Sequence, residues 1–311
     1  MRIGSRGSAL ALVQAELVAG LLGGAEAGVE VVTVTTSGDR GALIGDKSRW
    51  VKELEAALLA GEIDAAVHSA KDVPAELPEG FALAAVPERV DARDALCGAP
   101  SLDSLPPGAR VGTSSLRRAA GLRALRPDLD VVALRGNVDT RLRKLAEGDW
   151  AAIVLAMAGL ERLNRTEDVG CALDELVPAP GQGTLAIEIR ADDADTRARL
   201  STIDDPHVAA GLAAERALAR ALGASCNTPL GAHAMLADDG GMTLRAFLGL
   251  PDGSAWLRDE LTDPLGASPE RLGEEVAGRM RAAGADELLA ACEALGNGTV
   301  PPASTPEGSR L

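Results

Sequence analysis

The sequence predicts an α/β protein of two units joined by hinge crossovers, with a smaller α+β unit after them. Three observations lead there. In the first two thirds, short β-branched or apolar runs alternate with helical patterns, the order expected of parallel β-α-β units with right-handed crossovers. Proline- and glycine-rich stretches at 99–108 and 178–183 interrupt the alternation, as links between units do. From about Asp204 the texture changes to one strong helix, three short strands with Gly/Asp turns and a closing helix.

The elements follow in order. Arg2-Ile3-Gly4 reads as a short strand entering a Gly/Ser loop. Ser8 is placed to cap a helix over 9–22, in which Leu10, Val13, Leu17 and Leu21 recur at helical spacing and Gly23-Gly24 supplies the stop. The run 29–36 is β-branched and apolar enough for a strand buried on both faces. Residues 50–60 are amphipathic and end at Gly61; 64–68 form an apolar strand running into Ser69-Ala70-Lys71-Asp72-Val73-Pro74. After the break at 99–108 come a strand at 110–112, a helix capped by Ser114 or Ser115 and ended by Pro127, and a strand over 130–134. A helix begun by Asn137 or Asp139, a buried strand at 150–155 and, past the second break, a strand at 184–189 follow. The third unit reads as a helix over 208–222, strands at 232–236, 242–248 and 254–261, and a helix over 269–283. Residues 296–311, rich in Pro, Ser, Gly and Thr, predict a disordered tail.

Composition excludes several classes of function. The 311 residues are 46% hydrophobic, too many for intrinsic disorder. There are 31 basic against 46 acidic residues, net −15, which argues against nucleic acid or an anionic membrane as partner. Aromatics are 2% with no Tyr, so base stacking and aromatic cages are poorly supplied. Met1-Arg2-Ile3-Gly4-Ser5 opens no charged leader with an apolar core, and no run of about eighteen apolar residues exists to span a membrane. Cys97, Cys171, Cys226 and Cys292 are far apart, with no CxxC and no zinc spacing. The expectation is a cytoplasmic, metal-free monomer with free thiols.

Local charge is the strongest chemical signal. Between Arg110 and Leu145 lie nine basic residues, Arg110, Arg117, Arg118, Arg123, Arg126, Arg135, Arg141, Arg143 and Lys144, against Asp128, Asp130 and Asp139: net +6 within an acidic chain. Arg117 and Arg118 fall in the first turn of a helix directly after Gly112-Thr113-Ser114-Ser115. Free N–H groups, hydroxyls and paired guanidiniums there suit an anion, although a solvated basic face paired with nearby acids accounts for Arg123 and Arg126 equally well. Arg135 and Arg141 flank a strand end and the next helix, where open α/β sheets bind ligands. Lys71-Asp72 follows another strand. That carboxylate can stabilise a cation or move a proton, or be an ordinary turn Asp before Val-Pro, the reading favoured on these residues alone. Cys226, in a Gly/Ser/Asn/Pro loop, can be a nucleophile or an attachment point, or a bystander. No phosphate loop, dinucleotide fingerprint or H-E-x-x-H is present, and His68, His207 and His233 do not cluster in sequence.

Together these stretches resemble the porphobilinogen deaminase family from Arg2 to about Ala290. The stretches are 2–12 (RIGSRGSALAL), 51–55 (VKELE), 66–74 (AVHSAKDVP), 111–118 (VGTSSLRR), 134–142 (LRGNVDTRL), Pro180-Gly181-Gln182-Gly183 and 226–231 (CNTPLG). Each is moderately specific; their joint occurrence in this order is highly specific. The resemblance implies two lobes like those of type II periplasmic binding proteins plus a small α+β domain. The implied division is 1–90 with 184–203, 91–183, 204–295 and the tail. It also implies a transferase, hydroxymethylbilane synthase, that condenses four porphobilinogen molecules on a covalent dipyrromethane cofactor. By matching position Cys226 carries that cofactor through a thioether and Asp72 is the catalytic carboxylate. Lys71, Ser69, Thr113, Ser115, Arg117, Arg118 and Arg135 would hold the cofactor's acid groups, and Arg6, Ser8, Arg141, Arg162 and Lys47 the substrate's. The loop 43–50 departs from the family's K-x-G-G-K-G-x-F form: Leu43 replaces a lysine, Asp46 brings an acid and Trp50 replaces Phe. The rival readings, a solute-binding module for a small anion and a ligand-sensing domain of a regulator, predict no covalent adduct.

Overall fold

A computed structural model describes residues 1–34, 48–225, 227–237, 240–263 and 268–295, with the side chains of 48–50 left aside. The first strand, β1 (Arg2–Ser5), leads through the Gly/Ser loop into α1 (Ala9–Leu21), where Ser8 accepts a hydrogen bond from the Ala11 N–H. The helix stands where its pattern predicts, but the packed face is not the leucine one. Ala11, Gln14, Ala15, Val18 and Ala19 are buried, whereas Leu17 and Leu21 are 48% and 59% exposed. Small residues let this helix lie close on the sheet, and the larger ones face away. β2 (Glu30–Thr33) is an edge strand, partly exposed, so the expectation of burial on both faces fails there. α2 (Ser48–Leu59) and β3 (Ala65–Ser69) follow, then a 3₁₀ turn, Ala70–Asp72, and β4 (Phe81–Ala85).

The second sheet is built from β5 (Asp94–Cys97), β6 (Arg110–Gly112), β7 (Asp130–Val132), β8 (Ala152–Ala156) and β9 (Val169–Leu173). Its helices are α3 (Leu116–Leu125), α4 (Val138–Ala146) and α5 (Met157–Arg162). Of the alternative caps, Ser115 starts α3 and Asn137 starts α4. The chain then returns to the first sheet as β10 (Leu185–Arg190), followed by α6 (Ala194–Leu200). The third unit comprises α7 (Pro206–Ala221), β11 (Leu230–Leu236), β12 (Met242–Gly249), β13 (Trp256–Asp263), α8 (Pro269–Ala282) and α9 (Ala285–Ala294).

The two five-stranded sheets share one plan. Their orders are β2-β1-β3-β10-β4 and β7-β6-β8-β5-β9. β1, β2 and β3 are parallel, as are β6, β7 and β8; β10 and β5 each run antiparallel to both of their neighbours. The chain passes between the sheets twice, through 86–93 and 174–184. The proline-rich 99–108 therefore joins β5 to β6 inside the second sheet and is not the link between units that its composition predicts. β3 and β8, apolar runs flanked on both sides by other strands, are almost wholly buried. Separate cores form around Ile3, Val67 and Ile187, around Leu96, Val111 and Leu122, and around Leu218, Leu244 and Val276.

Candidate functional site

Parallel strands point the same way, so the loops that leave them gather on one edge of each sheet. Arg6 and Ser8 follow β1; Ser69 ends β3, with Lys71 and Asp72 in its 3₁₀ turn; Thr113, Ser115, Arg117 and Arg118 follow β6; Arg135 and Arg141 follow β7; Arg162 ends the helix after β8. The edges of the two sheets meet. Leu10 of α1 packs at Gly159 of α5, and Arg162 Nη2 donates to the Gly183 carbonyl at 2.7 Å. Cys226 and Lys47 lie outside the described residues.

Arg117 and Arg118, in the first turn of α3, oppose the helix dipole and are buried. What stabilises them is Asp94, fully buried at the start of β5. Its carboxylate accepts from Arg117 Nη1 (2.8 Å) and Nη2 (3.2 Å) and from Arg118 Nε (2.9 Å), with Arg118 Nη2 also at 2.8 Å. Arg117 Nη1 donates to the Val177 carbonyl and Arg118 Nη1 to that of Val154. Burial works against the charge on Asp94, yet the two guanidiniums outweigh it and hold its carboxyl well below the usual carboxylate range. Two guanidiniums against one carboxylate leave a surplus positive charge. Part of the arginine signal is thus a structural ion cluster, which no local pattern around Asp94 advertises.

Arg141 and Arg162 differ. Each is largely enclosed and bonds a backbone carbonyl, Gly136 (2.8 Å) and Gly183 respectively, but neither has an ion-pair partner among the described residues. Burial pushes both down to about 10, aided at Arg141 by the neighbouring Arg118. Enclosed guanidiniums without a carboxylate fit an anionic ligand. Arg135 is exposed, and its carbonyl accepts from Lys144 Nζ. Ser8 and Ser115 use their hydroxyls as helix caps, and buried Thr113 accepts from the Ser115 N–H.

The strap 180–183 joins the two edges. Lys71 Nζ donates to Gln182 Oε1 (3.3 Å), and Gln182 Nε2 donates to Asp94 Oδ1 (2.8 Å) and to the Ala92 carbonyl (2.7 Å). Gly181, at φ 73°, lies so close to the turn that a Cβ would stand 2.8 Å from Ala70 Cβ and 3.0 Å from Lys71 N. Glu215 of α7, fully buried, accepts from the Gly181 N–H (2.6 Å), Arg89 Nη1 (2.7 Å) and the Ala234 N–H (2.8 Å), tying strap, crossing segment and third unit together. Sequence reasoning singled out neither Asp94, Arg89 nor Glu215; Gln182 was visible only within the Pro-Gly-Gln-Gly stretch.

Fold and site define a two-lobed α/β protein with a cluster of arginines where the lobes' strand ends meet. Residues 1–198 match the family model for the dipyrromethane cofactor binding domain of porphobilinogen deaminase, and 210–282 match that for its C-terminal domain. Among curated relatives, the porphobilinogen deaminases of Brevibacillus brevis and Chromobacterium violaceum are 44% and 50% identical, each over 93% of this chain and 96% of their own. That of Thiobacillus denitrificans is 48% identical over 94% of this chain and 99% of its own. Among solved structures, a methionine-bound nutrient-binding protein from Burkholderia cenocepacia is similar at 17% identity. The match covers 67% of this chain and 93% of that one, with a TM-score of 0.42. This chain belongs to the porphobilinogen deaminase family, and its cofactor is dipyrromethane. It is an enzyme, and family membership decides against a binding module without chemistry. Among the described residues no helix is long and apolar enough to cross a membrane, and no group of three or more His, Cys, Asp or Glu could hold a metal.

Proposed function

We propose that this chain is a hydroxymethylbilane synthase, a transferase that joins four porphobilinogen molecules on a primer held by Cys226. Each coupling releases one ammonia, and one water frees the linear tetrapyrrole. When bound, the dipyrromethane supplies the pyrrole carbon to which the first new unit is joined. Every other contribution comes from the chain. Every pyrrole unit brings two carboxylates, so charge on the ligand grows at each step. A protein of net −15 repels it except where cations are concentrated. Ser69, Lys71, Thr113, Ser115, Arg117, Arg118 and Arg135 hold the acid groups of the cofactor. Arg6, Ser8, Arg141, Arg162 and Lys47 hold those of the incoming substrate.

Asp72, in the turn after β3, stabilises the positive charge that develops on a pyrrole ring when ammonia leaves, and passes on the proton that coupling releases. The observation that carries this reading is the pair Arg141 and Arg162, enclosed and without carboxylate partners among the described residues, on the sheet edges that also bear Asp72. The lobes are 1–90 with 184–203 and 91–183, the third domain is 204–295, and the enzyme acts as a cytoplasmic monomer. The test is turnover of porphobilinogen by wild type, Asp72→Asn and Arg162→Leu. Wild type releases four ammonia for each linear tetrapyrrole, the first variant is inactive, and the second has a raised KM. An Asp72→Asn variant with wild-type turnover refutes the assignment.

A further inference from the structure

The interior of the first sheet holds a polar pair that its packing does not need. His68, on β3, and Glu188, on β10, are both buried, and His68 Nε2 donates to Glu188 Oε2 at 2.9 Å. Around them the strands are apolar: Ala66 and Val67 on one side, Ala186 and Ile187 on the other. The second oxygen of Glu188, Oε1, is buried without a hydrogen-bond partner among the described residues. An unmatched carboxylate oxygen in a core is a cost that two apolar side chains would avoid. Glu55 of α2, itself buried, raises the cost, since burial and then the proximity of Glu188 push its carboxyl up. Among the described residues, Lys52 near Glu55 and Arg216 of α7 near Glu188 also bear on this group.

Position tells what the pair is for. Ala186 pairs with His68 and Leu185 with Ser69, and the next N–H, that of Ala70, donates to the Thr184 carbonyl at 2.9 Å. The ladder therefore stops where the 3₁₀ turn bearing Lys71 and Asp72 begins. Backbone bonds alone leave the end of β3 held by a single further contact; a side-chain bond across the same two strands holds it in direction as well. Where a local rule is broken inside an otherwise consistent core, the breach is expected to serve a site. We infer that His68 and Glu188 are positioning residues for the reaction: their buried hydrogen bond clamps β3 to β10 and thereby sets where the Asp72 carboxylate stands. This rests on the reading of Asp72 as the reacting carboxylate.

The test uses the cofactor-loaded enzyme and compares His68→Phe/Glu188→Met, in which an apolar pair keeps the core filled, with the conservative variants His68→Gln and Glu188→Gln. Asp72→Asn serves as control. Loading is read by intact mass, stability by thermal unfolding, and kcat and KM by turnover of porphobilinogen. The apolar double variant retains its cofactor and a KM within about twofold of wild type, while kcat falls about 10- to 100-fold, as misplacing a reacting group by an ångström does. His68→Gln and Glu188→Gln, which keep a donor or acceptor in place, recover most of that kcat. A double variant that unfolds more easily yet turns over at the wild-type kcat well below its Tm has lost only stability, and overturns the inference. So does a drop in kcat that neither conservative variant relieves. If Asp72→Asn is itself active, the reading of Asp72 fails first and the inference falls with it. If the double variant does not fold, Glu188→Met alone takes its place: a kcat loss of about tenfold or more that Glu188→Gln relieves supports the clamp, and a wild-type kcat overturns it.

Discussion

Replacing Asp94 by Asn removes one charge from a cluster of three and leaves Arg117 and Arg118 enclosed without a counter-ion. The carboxylate is fully buried, meets four guanidinium nitrogens within 3.2 Å and also accepts from Gln182. Removing one partner of a buried ion pair costs about 3–5 kcal/mol, and because the amide keeps one acceptor oxygen the lower end, about 3 kcal/mol, applies. For a chain of this size each kcal/mol moves Tm by roughly 2 °C, so the fall is about 6 °C at pH 7. The pH dependence has a definite sign. The Asp94 carboxyl is held below its ordinary value by Arg117 and Arg118 against the opposing effect of burial. Its stabilisation is therefore fully present above the unfolded-state pKa of about 3.9 and disappears as pH falls through the lower folded-state value. Thermal unfolding of wild type and Asp94→Asn, followed by circular dichroism from neutral to acid pH, tests this. The two Tm curves converge on acidification. A Tm difference under about 1 °C at pH 7, or one that widens as pH falls, rules out Asp94 as the stabilising counter-ion of Arg117 and Arg118.

Other perturbations have equally definite outcomes. Gly181→Ala forces a Cβ against Ala70 at a left-handed φ of 73°; it costs about 1–2 kcal/mol in unfolding measurements and lowers kcat by displacing the Lys71-Asp72 turn. Glu55→Gln removes a carboxyl whose pKa burial and Glu188 raise. A raised group stabilises below its unfolded pKa and loses that contribution as pH rises through the folded value, so the variant gains Tm on wild type at neutral pH and matches it near pH 4. Cys97 is fully buried and its thiol is pushed up to about 12, first by burial. Native protein exposed to iodoacetamide at pH 8 leaves the Cys97 peptide unmodified by mass spectrometry, and unfolded protein does not.

Much of the architecture was legible because it rests on local rules. The apolar run of β3, the Ser115 cap of α3 and the Asn137 cap of α4 mark their elements without help from the rest of the chain. What failed did so where tertiary contact overrides local pattern. The leucines of α1 recur at helical spacing, yet the alanine face packs, because closeness to the sheet outweighs side-chain size. β4, β5 and β9 carry too short and mixed a pattern to stand out from loops, and once β5 goes unrecognised the prolines of 99–108 pass for a boundary. At the site the cations were visible and their counter-ion was not. Asp94 is one acid among 46 Asp and Glu residues, and only the strand pairing that brings β5 beside β8 sets it beneath Arg117 and Arg118. The sequence distinguishes guanidiniums that serve the fold from those free for a ligand only after that pairing is known.

A primer joined to Cys226 is read from the intact mass of the purified protein. The wild-type chain carries a mass excess equal to two linked pyrrole units, and Cys226→Ser, prepared alongside, carries none. A wild-type mass equal to that of the bare chain, unchanged after incubation with porphobilinogen, rules out a primer on Cys226.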